Sequence, residues 1–258
     1  MLSVFHRRNT LNVGDLHGAP SLYFPLNGQA HDLADWQGRI RGAVIVGGGG
    51  LLHRFFDAGM QRLLDQKPKR TIVWSVGVHG PPEDPLTLPG WLSDCELVGL
   101  RDWGTPFDWV PCASCMSPLF DDPPDPVRPF VVYEHHDFHT LPALPVPAMH
   151  NNTRQMQDAV GFLASGEVVI TNSYHGAYWA TLLGRRVLAY PFSNKFRFMR
   201  HPPVLWAEGH DPFPHVHDCA SYPDALRQCR AANVAFYERV RRLLARTAPM
   251  TPAATTRR

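Results

Sequence analysis

The residues best suited to chemistry lie in "VVITNSYHGAYWATLLGRRVLAYP", residues 168–191. A β-branched run, a short apolar segment and a second β-branched run predict a βαβ unit with its helix over 177–183. In such a unit the carboxyl end of the strand and the N-terminus of the helix open onto a crevice that favours an anion. Ser173, His175 and Gly176 are therefore expected at an anion-binding crevice.

Two glycine-bearing stretches have the same kind of potential. "AVIVGGGGLLHRFFDAG" predicts a strand, a turn at Gly47–Gly50 and a helix over 51–65, an arrangement that lets a ligand approach the backbone closely. It matches neither G-x-G-x-x-G nor the phosphate-loop pattern, so a plain tight turn is an equal alternative. "NVGD" places the Asp15 carboxylate on a loop, although an Asx-type turn at Asn12 explains the same residues.

Cysteine and histidine clusters are weaker signals. Cys112 and Cys115 have C-x-x-C spacing, which is found in redox sites and zinc sites, but no second pair completes a zinc site. Small buried residues in a tight turn are the favoured interpretation. Two histidine-rich stretches lack a recognised ligand spacing, so loop histidines are predicted and no metal site is. These histidines are His135, His136 and His139 in the first stretch and His210, His215 and His217 in the second.

The elements that must position these groups alternate between strand and helix. The predicted strands cover 43–46, 71–76, 96–100 and 130–133, and the predicted helices outside the βαβ unit cover 51–65, 153–164 and 222–247. The proline-rich "DDPPDPVRP" at 121–129 forbids helix and marks a boundary. The sequence therefore predicts an α/β chain with domains at 1–122 and 128–247, followed by a flexible tail at 248–258.

Composition limits the function classes. The chain of 258 residues is 44% hydrophobic and 19% charged with a formal charge of +2, which indicates an ordinary globular protein without strong attraction for nucleic acid. It has no apolar run as long as a membrane span, and its first residues lack a signal-peptide core, so a cytoplasmic protein is expected. Five cysteines without a regular framework agree with a reducing compartment.

The order of six segments gives a more specific hypothesis. "NVGD", "VIVGGGGLL", "SVGVHG", "LVGLRDWGT", "VPCASCM" and "VVITNSYHGAYWATLLGRRVLAYPFSNKF" follow one another as far as Phe196. In this order they resemble the polysaccharide pyruvyl transferase family. The resemblance implies a GT-B-like fold, two Rossmann-like domains facing across a cleft. It also implies transfer of pyruvate from phosphoenolpyruvate to two hydroxyls of a sugar, as a cyclic ketal, without a cofactor.

The resemblance also suggests roles for individual residues. His175 is expected to donate to the phosphate or carboxylate, or to protonate the departing phosphate, and Asp15 to act as a base on an acceptor hydroxyl. Family members often have Arg where this chain has Ser173. The phosphate is therefore expected to be bound by other cations or by backbone N–H groups. The expected substrate-binding residues are Arg101, Lys195, Ser173, Gly176, Asn12, Gly48, Gly49 and His79. The C-terminal half is expected to hold phosphoenolpyruvate and the N-terminal half the acceptor.

Two alternatives stay open. A GT-B-type glycosyltransferase that uses a nucleotide sugar would share the fold, but it would be expected to show an acidic ribose ligand where "SNKF" supplies Lys195. A non-catalytic glycan-binding protein could have lost its acid and its cations, whereas Asp15, Arg101 and His175 are all present. A purely structural role is the alternative explanation for His175, which would then be a capping or core histidine that connects two loops.

The last predicted helix carries two stripes. One is apolar and should pack on the protein; its members are Leu226, Cys229, Asn233, Phe236, Val240, Leu243 and Leu244. The other is basic and consists of Arg227, Arg230, Arg241 and Arg242, with Arg257 and Arg258 in the tail. A solvated helix face explains the basic stripe most simply. Because acceptors in the family are often lipid-linked oligosaccharides at the inner membrane face, weak peripheral contact with that membrane is a further hypothesis.

Overall fold

Two parallel sheets carry the fold. The computed structural model describes residues 1–138, 141–206 and 211–246. The first sheet contains β1 (Leu2–His6), β2 (Gly28–Asp32), β3 (Ala43–Gly47), β4 (Arg70–Val76), β5 (Leu97–Leu100) and β6 (Asp108–Trp109). The second contains β7 (Arg128–Glu134), β8 (Ala148–His150), β9 (Gly166–Thr171), β10 (Arg186–Ala189) and β11 (Val204–Leu205). The predicted alternation of strand and helix in an α/β chain is confirmed.

The strand order is the same in both sheets. The first sheet runs β2-β1-β3-β4-β5-β6 and the second runs β11-β10-β9-β7-β8, with every pairing parallel. In each sheet the chain therefore moves outward from its first strand, returns, and continues on the other side. This doubly wound pattern is consistent with Rossmann-like domains and opens a crevice at the carboxyl ends of β1 and β3, and of β7 and β9.

Burial explains why the central strands form. β3, β4 and β9 are nearly continuous runs of apolar residues, as expected for parallel strands covered on both faces. The helices are α1 (Val13–Leu16), α2 (Arg54–Leu64), α3 (Met156–Ala164), α4 (Tyr174–Leu182) and α5 (Ala225–Ala245). All nine residues of α4 are buried, so this helix lies inside the molecule and shows no apolar stripe.

Four helices begin at other residues than predicted, and one of them is α5, which begins at Ala225, three residues later than predicted. α2 begins at Arg54 instead of residue 51, because Leu52 continues the extended chain, donates its N–H to the Gly77 carbonyl and bridges to Val78. α3 begins at Met156, three residues later than predicted. α4 begins at Tyr174, three residues earlier than predicted. Short strands with mixed polarity, such as β1, β2 and β8, were not predicted at all.

The terminal helix α5 packs against the first sheet, although it follows the second in the chain. Phe236 and Val240 lie in one cluster with Val4 and Trp74. The buried Asn233 side chain accepts from Trp74 Nε1 at 2.9 Å and donates to the Pro111 carbonyl at 3.0 Å. The predicted apolar stripe is thus borne out, and its Phe236 end covers a face of the first sheet. Its Cys229 end lies in the core cluster that contains α3 and α4, so α5 packs against both halves of the chain.

Three arginines of the basic stripe of α5 are paired within the protein, whereas the prediction was a solvated face. Arg230 donates from Nε to the Cys115 carbonyl at 2.8 Å and pairs through Nη1 with Asp121 at 2.6 Å. Its guanidinium therefore ties α5 to the loop before β7. The other ion pairs of the stripe are local, Arg227 with Asp224 and Arg241 with Glu238. Arg257 and Arg258 lie outside the described residues, among which no helix is long and apolar enough to cross a bilayer.

Candidate active site

The carboxyl ends of the strands of both sheets border one cavity of about 260 Å³. The first sheet contributes the loops after β1, β3, β4 and β5, and the second contributes the loops after β7, β9 and β10. The predicted site residues that line it are Asn12, Asp15, His79, Arg101, Ser173, His175 and Lys195. Segments up to about 180 residues apart thus meet where doubly wound sheets open their crevices.

Arg101 supplies a buried positive charge to this cavity. It follows β5, is 3% exposed, and its guanidinium lies 3.9 Å from the centre of the Tyr174 ring. Within the described residues its Nε has no hydrogen-bond partner, and no carboxylate lies within ion-pair distance. A Cβ at Gly77 would stand 2.3 Å from that Nε, so only glycine leaves room for the side chain. The guanidinium is therefore placed for an anion that the folded chain does not itself provide.

A β-bulge in β4 makes room for the Arg101 side chain. The pairing of β4 with β5 shifts register between Trp74 and Val76, and Ser75 between them has φ near 60°. Few residues other than glycine adopt that conformation, and it is held here because the Ser75 hydroxyl donates to the Pro111 carbonyl at 2.6 Å. The bulge turns the chain so that Gly77 lies against Arg101.

Lys195 supplies a second buried cation from the loop after β10. It is 6% exposed, and its Nζ lies 4.3 Å from the centre of the Phe192 ring. Burial and then the charge of Arg101 together lower the pKa of Lys195 to about 7, and Asp15 opposes both effects. The side chain consequently changes its charge near neutral pH unless an anion binds beside it.

Asp15 is the carboxyl group among these cations. Asn12 Oδ1 accepts from the Gly14 N–H at 3.0 Å, which is the predicted Asx turn and also caps the short α1. Burial raises the pKa of Asp15, while Arg101 and Lys195 act in the opposite direction. The half-buried side chain is therefore suited to gaining or losing a proton closer to neutrality than an ordinary carboxyl.

Gly48 and Gly49 pack closely against the segment that carries Asp15 and Gly18. Both have positive φ, 83° and 90°. A Cβ on Gly48 would stand 2.5 Å from the Gly18 carbonyl oxygen, and one on Gly49 would stand 3.3 Å from Asp15 Oδ1. These two glycines let the chains pack closely, but neither lines the cavity. Because α2 begins only at Arg54, the expected helix N-terminus directly after the glycines is wrong.

His175 belongs to the second half of the chain, and two segments of the first half pack closely against it. Its Nδ1 lies only 1.9 Å from where a Cβ on Gly14 would be, and its Nε2 is 3.5 Å from Cys112 Sγ. Burial lowers the pKa of His175 well below its usual value, and Arg101 and Lys195 lower it further. The imidazole is therefore neutral in the empty site. It also tethers two loops, so the structural role proposed for it and a role in the cavity are compatible.

The N-terminus of α4 differs from the expected anion site at one position. Ser173 caps the helix, and its Oγ accepts from the Gly176 N–H at 3.3 Å. That N–H is thus already engaged. A Cβ on Gly176 would stand 2.5 Å from Thr171 Oγ1 and 2.6 Å from the Tyr133 ring, which places Gly176 in the interior. Ser173 and His175 line the cavity, whereas Gly176 does not.

Other wall residues were not expected from the sequence. Arg7 follows β1 and would have been a candidate if that strand had been predicted. Its Nη1 forms an ion pair with Asp32 at 3.0 Å, so its charge is already compensated within the protein. His135 follows β7, so its position after a strand was a usable signal. Burial, followed by the charge of Lys195, lowers the pKa of the predicted His79 to about 2, so His79 is a neutral wall group. The remaining unpredicted wall residues include His53, Asp137, Phe138 and Tyr174.

The cysteine and histidine clusters have separate outcomes. All five cysteines are free thiols, and Cys112 and Cys115 are buried in a short turn as the favoured interpretation expected. His135, His136 and Asp137 offer ligand atoms within 4.8 Å of one another, a spacing open to a metal ion that the sequence did not suggest. His139 and His210 lie outside the described residues, while His215 and His217 belong to a short 3-10 helix.

The site is therefore small and electropositive. Its volume lies just below the usual range of about 300–1,000 Å³ for pockets that hold drug-sized ligands. Two buried cations, Arg101 and Lys195, border it together with a neutral imidazole and one carboxyl group of raised pKa. This combination suits a compact ligand with more than one negative charge and chemistry that moves protons.

Comparisons with known proteins add little. No family model and no curated protein matches the sequence. The crystal structure of an uncharacterised protein from Klebsiella pneumoniae subsp. pneumoniae NTUH-K2044 is similar, with 16% identity, 73% of this chain and 83% of that chain covered, and a TM-score of 0.47. A likeness at this level supports no conclusion about function.

Proposed function

We propose that this protein is a polysaccharide pyruvyl transferase, which moves pyruvate from phosphoenolpyruvate to two hydroxyls of a sugar as a cyclic ketal. The observation that carries the proposal is the pair of buried cations, Arg101 and Lys195, beside Asp15 and His175 in one small cavity. Phosphoenolpyruvate places a phosphate and a carboxylate on a three-carbon frame and so needs several donors close together. In this proposal the two doubly wound sheets are arranged as in GT-B enzymes.

The two cations have different tasks. The planar guanidinium of Arg101 can donate two parallel hydrogen bonds to one anionic group, whereas Lys195 acts as a point charge. Because the charge of Arg101 lowers the pKa of Lys195, an anion between the two residues removes a repulsion as well as making contacts. Ser173 occupies the position where many family members have Arg. In this proposal Arg101 and Lys195 supply the positive charge that Ser173 lacks.

The reaction requires a defined movement of protons. The methylene carbon C3 gains a proton while the first sugar hydroxyl attacks C2 and loses its own proton. The C2–O bond to phosphate then breaks, the phosphate leaves with the bond's electrons, and the second hydroxyl closes the ketal and gives up its proton. The products are the ketal and inorganic phosphate, so no oxidant or cofactor enters the balance.

Asp15 and His175 are the groups available for these transfers. Asp15, with its raised pKa, is assigned as the base on an acceptor hydroxyl. His175 is neutral in the empty site, but a bound phosphate would raise its pKa by offsetting the charges of Arg101 and Lys195. His175 is assigned to donate to the phosphate and to supply its proton as it leaves.

The first test is ligand binding. Phosphoenolpyruvate should raise the melting temperature, since a ligand that binds only the folded state stabilises it by mass action. UDP- and GDP-sugars should not. A shift with a nucleotide sugar and none with phosphoenolpyruvate would favour the alternative, a GT-B-type glycosyltransferase.

The second test is turnover. The protein is incubated with phosphoenolpyruvate and candidate lipid-linked oligosaccharides, which in this proposal it meets at the cytoplasmic face of the membrane. The expected result is a product heavier by pyruvate less water, together with released phosphate in equal amount. Glycan binding without any product would favour the non-catalytic alternative.

A further inference from the structure

A second cavity, of about 550 Å³, adjoins the site. The two cavities share three wall residues, His53, His79 and Phe138. A third cavity of about 660 Å³, beside Trp36, shares none. A substrate that must reach the anion site therefore has a neighbouring space in the second cavity and not in the third.

An aromatic platform forms one side of the second cavity. Phe138 and Phe192 stack with their ring centres 4.2 Å apart and their planes 15° from parallel, and Phe138 is 40% exposed. The Lys195 ammonium lies 4.3 Å from the centre of the Phe192 ring, so this ring contacts a residue of the anion site. Exposed aromatic faces of this kind are matched by the C–H face of a sugar ring or by another apolar surface.

Another part of the cavity wall carries a polar side chain on a loop that is fixed in place. The loop after β4 is joined to the loop after β10 by two hydrogen bonds, from the Gly80 N–H to Asn194 Oδ1 at 2.9 Å and from the Asn194 N–H to the Gly80 carbonyl at 3.1 Å. Asp84 on this loop lines the cavity. Within the described part of the chain, the Asp84 carboxylate has neither an ion pair nor a hydrogen-bond donor. A carboxylate that lines the same cavity as an aromatic face can accept hydrogen bonds from a pair of hydroxyls.

We infer that this second cavity binds the acceptor, with a terminal hexopyranose ring on the Phe138–Phe192 platform and two of its hydroxyls on Asp84. The hydroxyls to be bridged then face His53 and His79 at the shared wall and reach C2 of the donor. This inference rests on the proposed function and adds to it the place and the chemical class of the acceptor. The acceptor-binding surface consequently draws on both halves of the chain, because Phe138 and Phe192 belong to the second sheet's loops.

The test separates sugar binding from donor binding. The probes are methyl β-D-glucopyranoside, methyl β-D-mannopyranoside and methyl β-D-galactopyranoside, whose contact with the protein is followed by saturation-transfer NMR. Phe138→Ala and Asp84→Asn should weaken the binding of the preferred glycoside by about tenfold each, equivalent to about 1.4 kcal/mol. Leu22→Ala and Asp35→Asn make the same kinds of change in the third cavity and should leave binding unchanged.

Each outcome has a separate meaning. Asp84→Asn and the two control variants should keep the melting shift with phosphoenolpyruvate, since none of these three residues lines the anion site, whereas Phe138 borders both cavities and its variant is judged on glycoside binding alone. The inference is overturned if no glycoside contacts the wild-type protein, if both cavity variants bind as wild type does, or if the controls lose binding instead. Glycoside binding that depends on Phe138 and Asp84, without a phosphoenolpyruvate shift or product, would support the sugar cavity and overturn the pyruvyl transfer.

Discussion

At the scale of single residues, the unusual feature is a pair of like charges buried together. Arg101 and Lys195 both border the cavity, and each lowers the tendency of its neighbours to carry a positive charge. Such an arrangement weakens the folded state when the cavity is empty. It is of use only if a ligand supplies the opposite charge, which is the physical reason for placing an anionic substrate there.

In the proposed reaction, removal of either residue assigned to the phosphate should abolish most of the activity. Arg101→Ala and His175→Ala are each expected to lower turnover by roughly 100-fold, because a positioned donor to developing charge is lost. The fold should survive, as checked by circular dichroism. Arg241→Ala, an exposed arginine of α5, is the control. Cys112→Ser keeps a polar group beside His175 and should cost far less. Near-normal transfer by both site variants would show that the residues are wrongly assigned.

Lys195 should make stability and binding depend on pH in opposite ways. Its pKa is about 7 when folded and about 10.5 when unfolded, so between these values the unfolded chain binds more protons and stability rises with pH. Phosphoenolpyruvate binding should weaken over the same rise, because the ammonium is lost. Lys195→Met should raise the melting temperature at about pH 6, flatten the rise toward about pH 9, and remove most of the ligand-induced shift. Equal melting curves for both proteins at both pH values would contradict the assignment.

At the scale of elements, the site depends on close approach between α1 and α4. Gly14→Ala would place a Cβ 1.9 Å from His175 Nδ1. We expect a lower melting temperature and a loss of transfer of at least about tenfold, since small displacements of catalytic groups are costly. Gly161→Ala in α3 is the matched control: a Cβ there meets nothing within 4 Å. It should stabilise the protein by about 0.5–1 kcal/mol. Equal effects of the two substitutions on transfer would be inconsistent with the close packing of Gly14 against His175.

Sequence periodicity predicted the long buried elements and missed the short ones. β3, β4 and β9 are nearly continuous apolar runs, and α5 has a regular apolar stripe, so each was recognised. β1 carries a polar residue at its end, and β8 has only three residues, so neither has a period to detect. The start of α4 was misplaced because Tyr174 and His175 look like loop residues until Ser173 is seen to cap them.

The site was predicted best where a motif residue follows a strand directly. His175 after β9 was found in this way and Arg101 after β5 through the family resemblance, and both line the cavity. Gly176 was misassigned because its N–H is used by a local cap, a detail of the turn that spacing does not reveal. The aromatic platform was missed because Phe138 and Phe192 lie 54 positions apart in the sequence and meet only when the second sheet forms.

At the scale of the whole molecule, the first sheet is incomplete without α5. A fragment of residues 1–122 should expose the Trp74 face of the sheet and fail to unfold cooperatively in urea. Joining residues 225–246 to that fragment through a flexible linker should restore a cooperative transition. A fragment 1–122 that already unfolds in one sharp step would show that α5 is dispensable for this core.

Membrane contact, if α5 provides it, must come from the arginines that do not hold the fold together. Arg227, Arg241 and Arg242 meet this condition better than Arg230, which ties α5 to the loop before β7. Co-sedimentation with anionic liposomes should therefore fall when these three are changed to Gln, and should fall for wild type at high salt, with about 1 kcal/mol of attraction per arginine. Neutral liposomes are the control. Equal sedimentation of both proteins, or none by wild type, would eliminate the hypothesis.

The position of α5 also has a consequence for synthesis on the ribosome. All six strands of the first sheet have been translated by Trp109, yet the helix that covers one face of the sheet ends at Ala245. At usual rates of about 5–20 residues per second, that face stays uncovered for about 7–27 seconds before α5 emerges. During this interval the nascent chain exposes Trp74 and its apolar neighbours to solvent, so the first half of the protein should be a client of ribosome-associated chaperones.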